Sequence, residues 1–195
     1  MSDDIKPIKN RFNIYYKSIF DFNIPIDAYV NTINCNGVMG AGIALEFKNR
    51  YPKMFEDYKE KCSKHQIRPG DCYTYHNDDS NDTVYLLGLA VKDDWRHWST
   101  LEWIEDSIKS LKLVILENDI KSVNLPLPGG KNGRKGPYGK VLEPKGLTPP
   151  PDRDELKLLI EKEFTSFANK FNIDINLCLP EDAQKKPELT LESFI

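Results

Sequence analysis

Hydrophobic positions along the chain alternate between two periods. Phe12-Asn13-Ile14-Tyr15-Tyr16 is rich in β-formers with partial alternation and predicts a strand; Ile26–Val30 predicts a second, short and apolar. Ile43–Arg50 predicts a helix stopped at Tyr51-Pro52, because the residue before a proline avoids the α region. Met54–Lys64 predicts another helix. Arg68-Pro69-Gly70-Asp71 is a turn, followed by a strand over Cys72–His76, a polar turn over Asn77–Asp82 and a buried strand over Thr83–Val91.

The strongest periodicity follows. Leu101, Ile104, Ile108, Leu111 and Ile115 recur every three or four residues, an amphipathic helix of about 18 residues. Ser99 is placed to cap it, with Glu102 completing a capping box. Ser122–Leu125 is a short strand. Pro126–Pro151 is a long loop holding much of the Gly and Pro, and a loop of that length in a compact domain is usually functional or disordered. Asp152, with Glu155 as box partner, opens a helix whose apolar face is Leu156, Leu159, Ile160, Phe164 and Phe167. Ile173–Leu179 is the last strand. Strands alternating with helices predict an α/β fold with a mixed, mostly parallel sheet. The chain has no internal repeat. Residues 1–180 are expected to form one domain and 181–195 a poorly ordered tail.

Composition narrows the function classes. With 195 residues and a net charge of −3, the whole chain carries no basic excess that would attract nucleic acid. The four cysteines, Cys35, Cys62, Cys72 and Cys178, form no CxxC pair, and His65, His76 and His97 have no metal-ligand spacing with them. No metal and no cofactor are expected. The polar start MSDDIKPIKN, the spaced cysteines and the absence of a long apolar run predict a cytoplasmic protein with reduced thiols and no membrane contact, and a monomer is expected.

The chemistry concentrates where a strand hands over to a helix. Asn31–Gly42 holds three asparagines, of which Asn31 and Asn34 stand at i and i+3, a cysteine, and Gly37, Gly40 and Gly42. Ligands of α/β folds bind beyond the carboxyl ends of strands, and glycines there let backbone N–H groups approach a phosphate beside a helix start. The spacing is neither GxGxxG nor GxxxxGK[ST], so a plain turn and a phosphate cradle stand about equal on these grounds.

The order of the residues says more. VNTINCNGVMGAGIALEFKNRYP, Val30 to Pro52, resembles the first signature of macrodomains, the ADP-ribose-binding modules. It is most similar to the DarG-like branch of ADP-ribosyl hydrolases, whose pattern is VNTVNxxGVMGKGIALQFKxxFP. A second block, from Ala90-Val91-Lys92-Asp93-Asp94-Trp95-Arg96-His97-Trp98-Ser99 to Leu101-Glu102-Trp103-Ile104, resembles TKxHWRxxSxLExI of the same branch. The resemblance covers residues 12–125 and implies a three-layer α/β/α macrodomain.

It also implies a site. Asn34 would contact the distal ribose. Lys92 would be catalytic, as a base or nucleophile whose pKa is depressed among apolar neighbours. Ser18, Ile19, Thr32, Ile33, Val38, Met39, Gly40, Gly42, Ile43 and Val91 would line the ADP-ribose, with Gly129, Gly130, Lys131, Asn132 and Gly133 in the second loop. Two features depart from the family pattern. Lys17-Ser18-Ile19-Phe20 stands where macrodomains carry GDI or GNI, and no aspartate occurs from Gly129 to Val141. The second loop is instead basic, with Lys131, Arg134, Lys135, Lys140 and Lys145 against Glu143, so contact with a nucleic-acid backbone through 131–145 is a further expectation, with Tyr138 able to stack on a base. Trp95 and Trp98 could pack or stack. The implied function is hydrolysis of ADP-ribose linkages on DNA or protein. ADP-ribose 1″-phosphate phosphatase, suggested by Asn34-Cys35-Asn36-Gly37, and a non-catalytic ADP-ribose reader are the alternatives.

Overall fold

The computed structural model describes residues 10–78, 84–129 and 146–184. Strands and helices alternate in the order β1 (Phe12–Tyr16), β2 (Ala28–Asn34), α1 (Gly42–Arg50), α2 (Pro52–Ser63), β3 (Cys72–Asn77), β4 (Val84–Lys92), α3 (Leu101–Glu117), β5 (Ser122–Pro126), α4 (Arg153–Phe171) and β6 (Asp174–Leu179). The sheet order is β1-β6-β5-β2-β4-β3. Every pairing is parallel except that of the edge strand β3, which runs antiparallel to β4.

Strand alternation splits the core into two halves. Ala28, Val30, Leu87, Leu89, Val123 and Leu125 face α3 and α4, meeting Ile104, Ile108, Leu111, Leu156, Ile160 and Phe164. Ile33, Tyr73, Leu86 and Ala90 face the other way, onto Phe47 of α1 and Met54 and Tyr58 of α2. Each such aliphatic burial contributes about 1.5–3 kcal/mol, so β4, buried along Leu86–Val91, is apolar without a break. The result is the three-layer α/β/α arrangement that the family resemblance implies.

Local signals explain most boundaries. Pro52 opens α2 at its first turn, where a missing N–H costs nothing. Asp152 caps α4, accepting from the N–H groups of Asp154 and Glu155, while Glu155 accepts from the Asp152 N–H. Asp152→Ala is therefore expected to destabilise the fold by about 1 kcal/mol, read as a lower urea midpoint at unchanged m.

Several boundaries differ from expectation by a residue or more, as where α2 starts at Pro52 rather than Met54, and the larger differences have causes outside their own segments. β2 runs on through Asn34 instead of stopping at Val30, because Asn31 and Asn34 are buried and paired with β4 where they were read as turn formers. The cap of α3 is Thr100, whose hydroxyl accepts from the Trp103 N–H, not Ser99. Glu102 is spent elsewhere, accepting from the Thr148 N–H, while the Leu101 N–H donates to the Thr148 carbonyl. The far end of the Pro126–Pro151 segment is thereby tied to the start of α3. Lastly, Glu181–Gln184 forms a 3-10 turn, with Ala183 packed on the core.

Topology singles out one edge of the sheet. The chain leaves β2 through α1 and α2 on one face, and leaves β5 through α4 on the other. β2 and β5 are neighbours, so their connections part in opposite directions and open a crevice beyond their carboxyl ends.

Candidate active site

Asn34 and Lys92 stand opposite one another at the carboxyl ends of β2 and β4. The register slips by one residue there: Ile33 pairs with Ala90, but Asn34 pairs with Lys92. Strict alternation would send Asn34 toward α3 and α4 with Val30. Its carbonyl and side chain instead meet the Tyr58 hydroxyl of α2, at 2.7 and 3.2 Å.

The Asn34 amide organises the loop that follows. Its Oδ1 accepts from the Asn36 N–H at 3.0 Å and the Val38 N–H at 3.3 Å, and its Nδ2 donates to the Val38 carbonyl at 2.6 Å. Gly37 makes this turn possible: it adopts φ +77, and it lies against Lys59 and Cys62 of α2. Beyond the turn, Gly40, Ala41 and Gly42 are exposed backbone leading into α1. Ala41 is the N-cap, has no capping side-chain hydrogen bond, and no acid occupies the first turn. The positive end of α1 thus keeps N–H groups for an anion, as a diphosphate cradle requires.

A second loop, residues 93–100, is bolted to the first. The Cys35 N–H donates to the Asp93 carbonyl, the Asn36 Nδ2 to Asp94 Oδ2 at 3.0 Å, and the Trp95 N–H to Asn36 Oδ1 at 3.1 Å. Arg96 grips the same Asp94 carboxylate through Nε at 2.8 Å and Nη2 at 2.7 Å. That grip holds the Asp94 carboxyl well below the usual carboxylate range. The clasp therefore persists in acid until the pH falls through that lowered value. Asp94→Ala is expected to free the two loops from each other, raising hydrogen exchange at the Trp95 amide by at least about tenfold.

Two nucleophilic groups border the crevice, and their environments differ. Burial pulls the Lys92 amine down from 10.5 to about 8. A useful fraction is then neutral near physiological pH. Burial also pushes the Cys35 thiol up to about 12, with the Asp93 charge adding to it, which keeps it an inert thiol. Lys92 is the group that can act as base or nucleophile.

The remaining expected residues divide by what they offer. Ile19, Ile33, Met39 and Val91 are core side chains, so only their backbone can meet a ligand. The Ile19 carbonyl accepts from Asn124 Nδ2 at 2.7 Å, which ties the β1–β2 connection to β5. Ser18 Oγ accepts from the Phe20 N–H within its own turn. Thr32, Val38 and Ile43 are half-buried along β2, its loop and α1. Gly129 ends the described part of the second loop with φ +72, and a Cβ there would come within 2.6 Å of Ile104 Cδ1. Gly129→Ala is expected to lower the melting temperature by several degrees, since both the backbone and the contact resist it. Gly130, Lys131, Asn132 and Gly133, like the rest of the 131–145 basic loop, lie outside the described residues. Tyr58, Asn36 and Asp94, which fix the geometry, were not predicted. Tyr58 carried only the Met54-Tyr58-Cys62 stripe as a signal.

With this geometry in place, comparison with known proteins defines the class. The Macro domain family model matches residues 30–132, and the chain belongs to that family. Among solved structures it is similar to the macrodomain of Mycobacterium tuberculosis DarG, at TM-score 0.69 and 30% identity over 86% of this chain and 97% of that one. It is 36% identical over 109 residues to a DNA ADP-ribosyl glycohydrolase of Thermus aquaticus, matching 56% of this chain but 30% of that protein's length. A shorter stretch of 36 residues is 47% identical to an ADP-ribose 1″-phosphate phosphatase of Saccharomyces cerevisiae, 18% of this chain and 20% of that one. Among the described residues no helix is long and apolar enough to cross a membrane, and no cluster of His, Cys, Asp and Glu could hold a metal ion.

Proposed function

We propose that the chain binds ADP-ribose in the crevice beyond β2 and β5 and hydrolyses the bond between its distal ribose and a DNA base. The observation that carries this reading is the cross-strand pairing of Asn34 with Lys92, with the amine brought to about 8. The DNA ADP-ribosyl glycohydrolase to which the chain is similar supports the same substrate.

In this reading the Gly40–Ile43 backbone holds the diphosphate, and the loop pinned by Asn34 holds the distal ribose. Thr32, Val38 and the backbone of Ser18, Ile19, Ile33, Met39 and Val91 complete the lining, with Gly129–Gly133 closing from the β5 side. Neutral Lys92 removes a proton from water as the water attacks the anomeric carbon, or adds to that carbon itself. The bond from that carbon to the base breaks, and the departing base takes up a proton. If the amine adds, it gives up a proton, the ribose ring opens to an imine, and water hydrolyses that imine to release ADP-ribose and return Lys92. Borohydride reduction during turnover, followed by mass spectrometry of the Lys92 peptide, separates the two routes.

The test is release of ADP-ribose from ADP-ribosylated DNA, ADP-ribosylated protein and ADP-ribose 1″-phosphate, side by side. Turnover of DNA conjugates supports the reading, and its absence on all three refutes catalysis. Phosphate release from ADP-ribose 1″-phosphate alone selects the second reading, which the local match to the yeast phosphatase favours.

A further inference from the structure

The loop after Lys92 carries an indole in solvent that packing does not explain. Trp95 is 41% exposed. Its backbone is nevertheless among the most constrained in the site. The Trp95 N–H donates to Asn36, the Asp94 carboxylate before it takes bonds from Asn36 and Arg96, and the His97 N–H donates to the Asp94 carbonyl. A turn fastened this firmly could turn a large aromatic ring inward; this one holds it out. Rigidly displayed aromatic rings on a loop are a binding feature, because they offer apolar area at little entropic cost.

Strand order says which part of a substrate would meet the ring. Ile19 is tied to β5, the α1 cradle follows β2, and Lys92 ends β4, on the far side of β2 from β5. An ADP-ribose laid across the crevice with its anomeric carbon at Lys92 has the rest of itself toward β5. Trp95, three residues past Lys92, then borders whatever is attached to that carbon. The charged residues that flank the ring in sequence leave no cationic excess: Arg96 is paired with Asp94, and Asp93 is an acid. Such a surface does not track phosphates; it suits a flat, neutral ring.

We infer that Trp95 is a stacking platform for the nucleobase that carries the ADP-ribose, a specificity-determining residue selecting DNA over protein conjugates. The inference rests on the reading above and deepens it. An ester-linked protein side chain presents no plane to the indole, whereas every base does.

The test uses binding, so that it stands apart from turnover. In a Lys92→Ala background, Trp95→Ala is expected to weaken binding of an ADP-ribosylated single-stranded oligonucleotide by about 10–100-fold, with Trp95→Phe restoring most of it. The loss should be the same at low and high salt, since stacking releases no counterions. Affinity for free ADP-ribose and for an ADP-ribosylated peptide should stay within about twofold. Unchanged oligonucleotide affinity, no oligonucleotide binding at all, or an equal loss on the peptide or on ADP-ribose would overturn the assignment. Absence of hydrolysis by the wild type, with the oligonucleotide-specific loss intact, would refute the proposed catalysis and leave the platform standing.

Discussion

Lys92→Ala is expected to lower hydrolysis of ADP-ribosylated DNA by about three orders of magnitude while calorimetric ADP-ribose binding is largely kept. In the proposed mechanism the amine acts in its neutral form. With its pKa at about 8, kcat/KM of the wild type should rise with pH through that value and level off above it. Lys92→Arg should be as inactive as alanine, because a guanidinium stays charged across the range. A rate that falls through pH 8, or full activity in either variant, would remove Lys92 from the chemistry. Stability supplies an independent reading. Burial disfavours the cation, so folding is penalised below the lowered pKa and the penalty lifts as pH rises from about 8 toward 10.5. The unfolded chain binds more protons in that window, so wild-type stability should climb across it. Lys92→Met should lack that part of the climb in urea titrations run at each pH.

Asn34→Ala should have the larger effect on the fold. It leaves the Asn36 and Val38 N–H groups and the Val38 carbonyl without the partners that shape the turn. A loss of about 2 kcal/mol in stability is expected, with ADP-ribose binding reduced on the order of 100-fold as the cradle loses its form. Asn34→Asp keeps the acceptor but sets a carboxylate against the Val38 carbonyl, and should fall between alanine and wild type. Unchanged melting temperature in Asn34→Ala, with binding alone lost, would show instead that the amide serves the ligand directly and not the loop.

The pattern of the chain showed each strand and α-helix among the described residues, through apolar periodicity or, in β4, an unbroken apolar run. It misread the end of β2 because asparagines signal turns in isolation. In the sheet they are consumed across strands: Asn176 donates to Asn124 at 2.8 Å, Asn124 to the Ile19 carbonyl, and Asn13 to Asn176 at 3.3 Å. The cap of α3 slipped by one residue because Glu102 had a stronger claim from Thr148, a contact that no local spacing reveals. Lys92 and Asn34 were legible through the two blocks that resemble the family. The clasp was not, since Asn36 and Asp94 are 58 positions apart and meet only once β2 and β4 pair.

The one-residue slip at the end of β2 sets a rule for length variation. Asn34 meets Lys92 because β4 carries Val91 as an extra residue at that point of the ladder. The pairing of Asn34 with Lys92 is thus specified by counting along two strands, not by the loops that follow them. Gain or loss of a single residue within Ala28–Asn34 or Val84–Lys92 would leave Asn34 facing Val91 or a gap, and the Lys92 amine without its cross-strand partner, however well the rest of the chain folds.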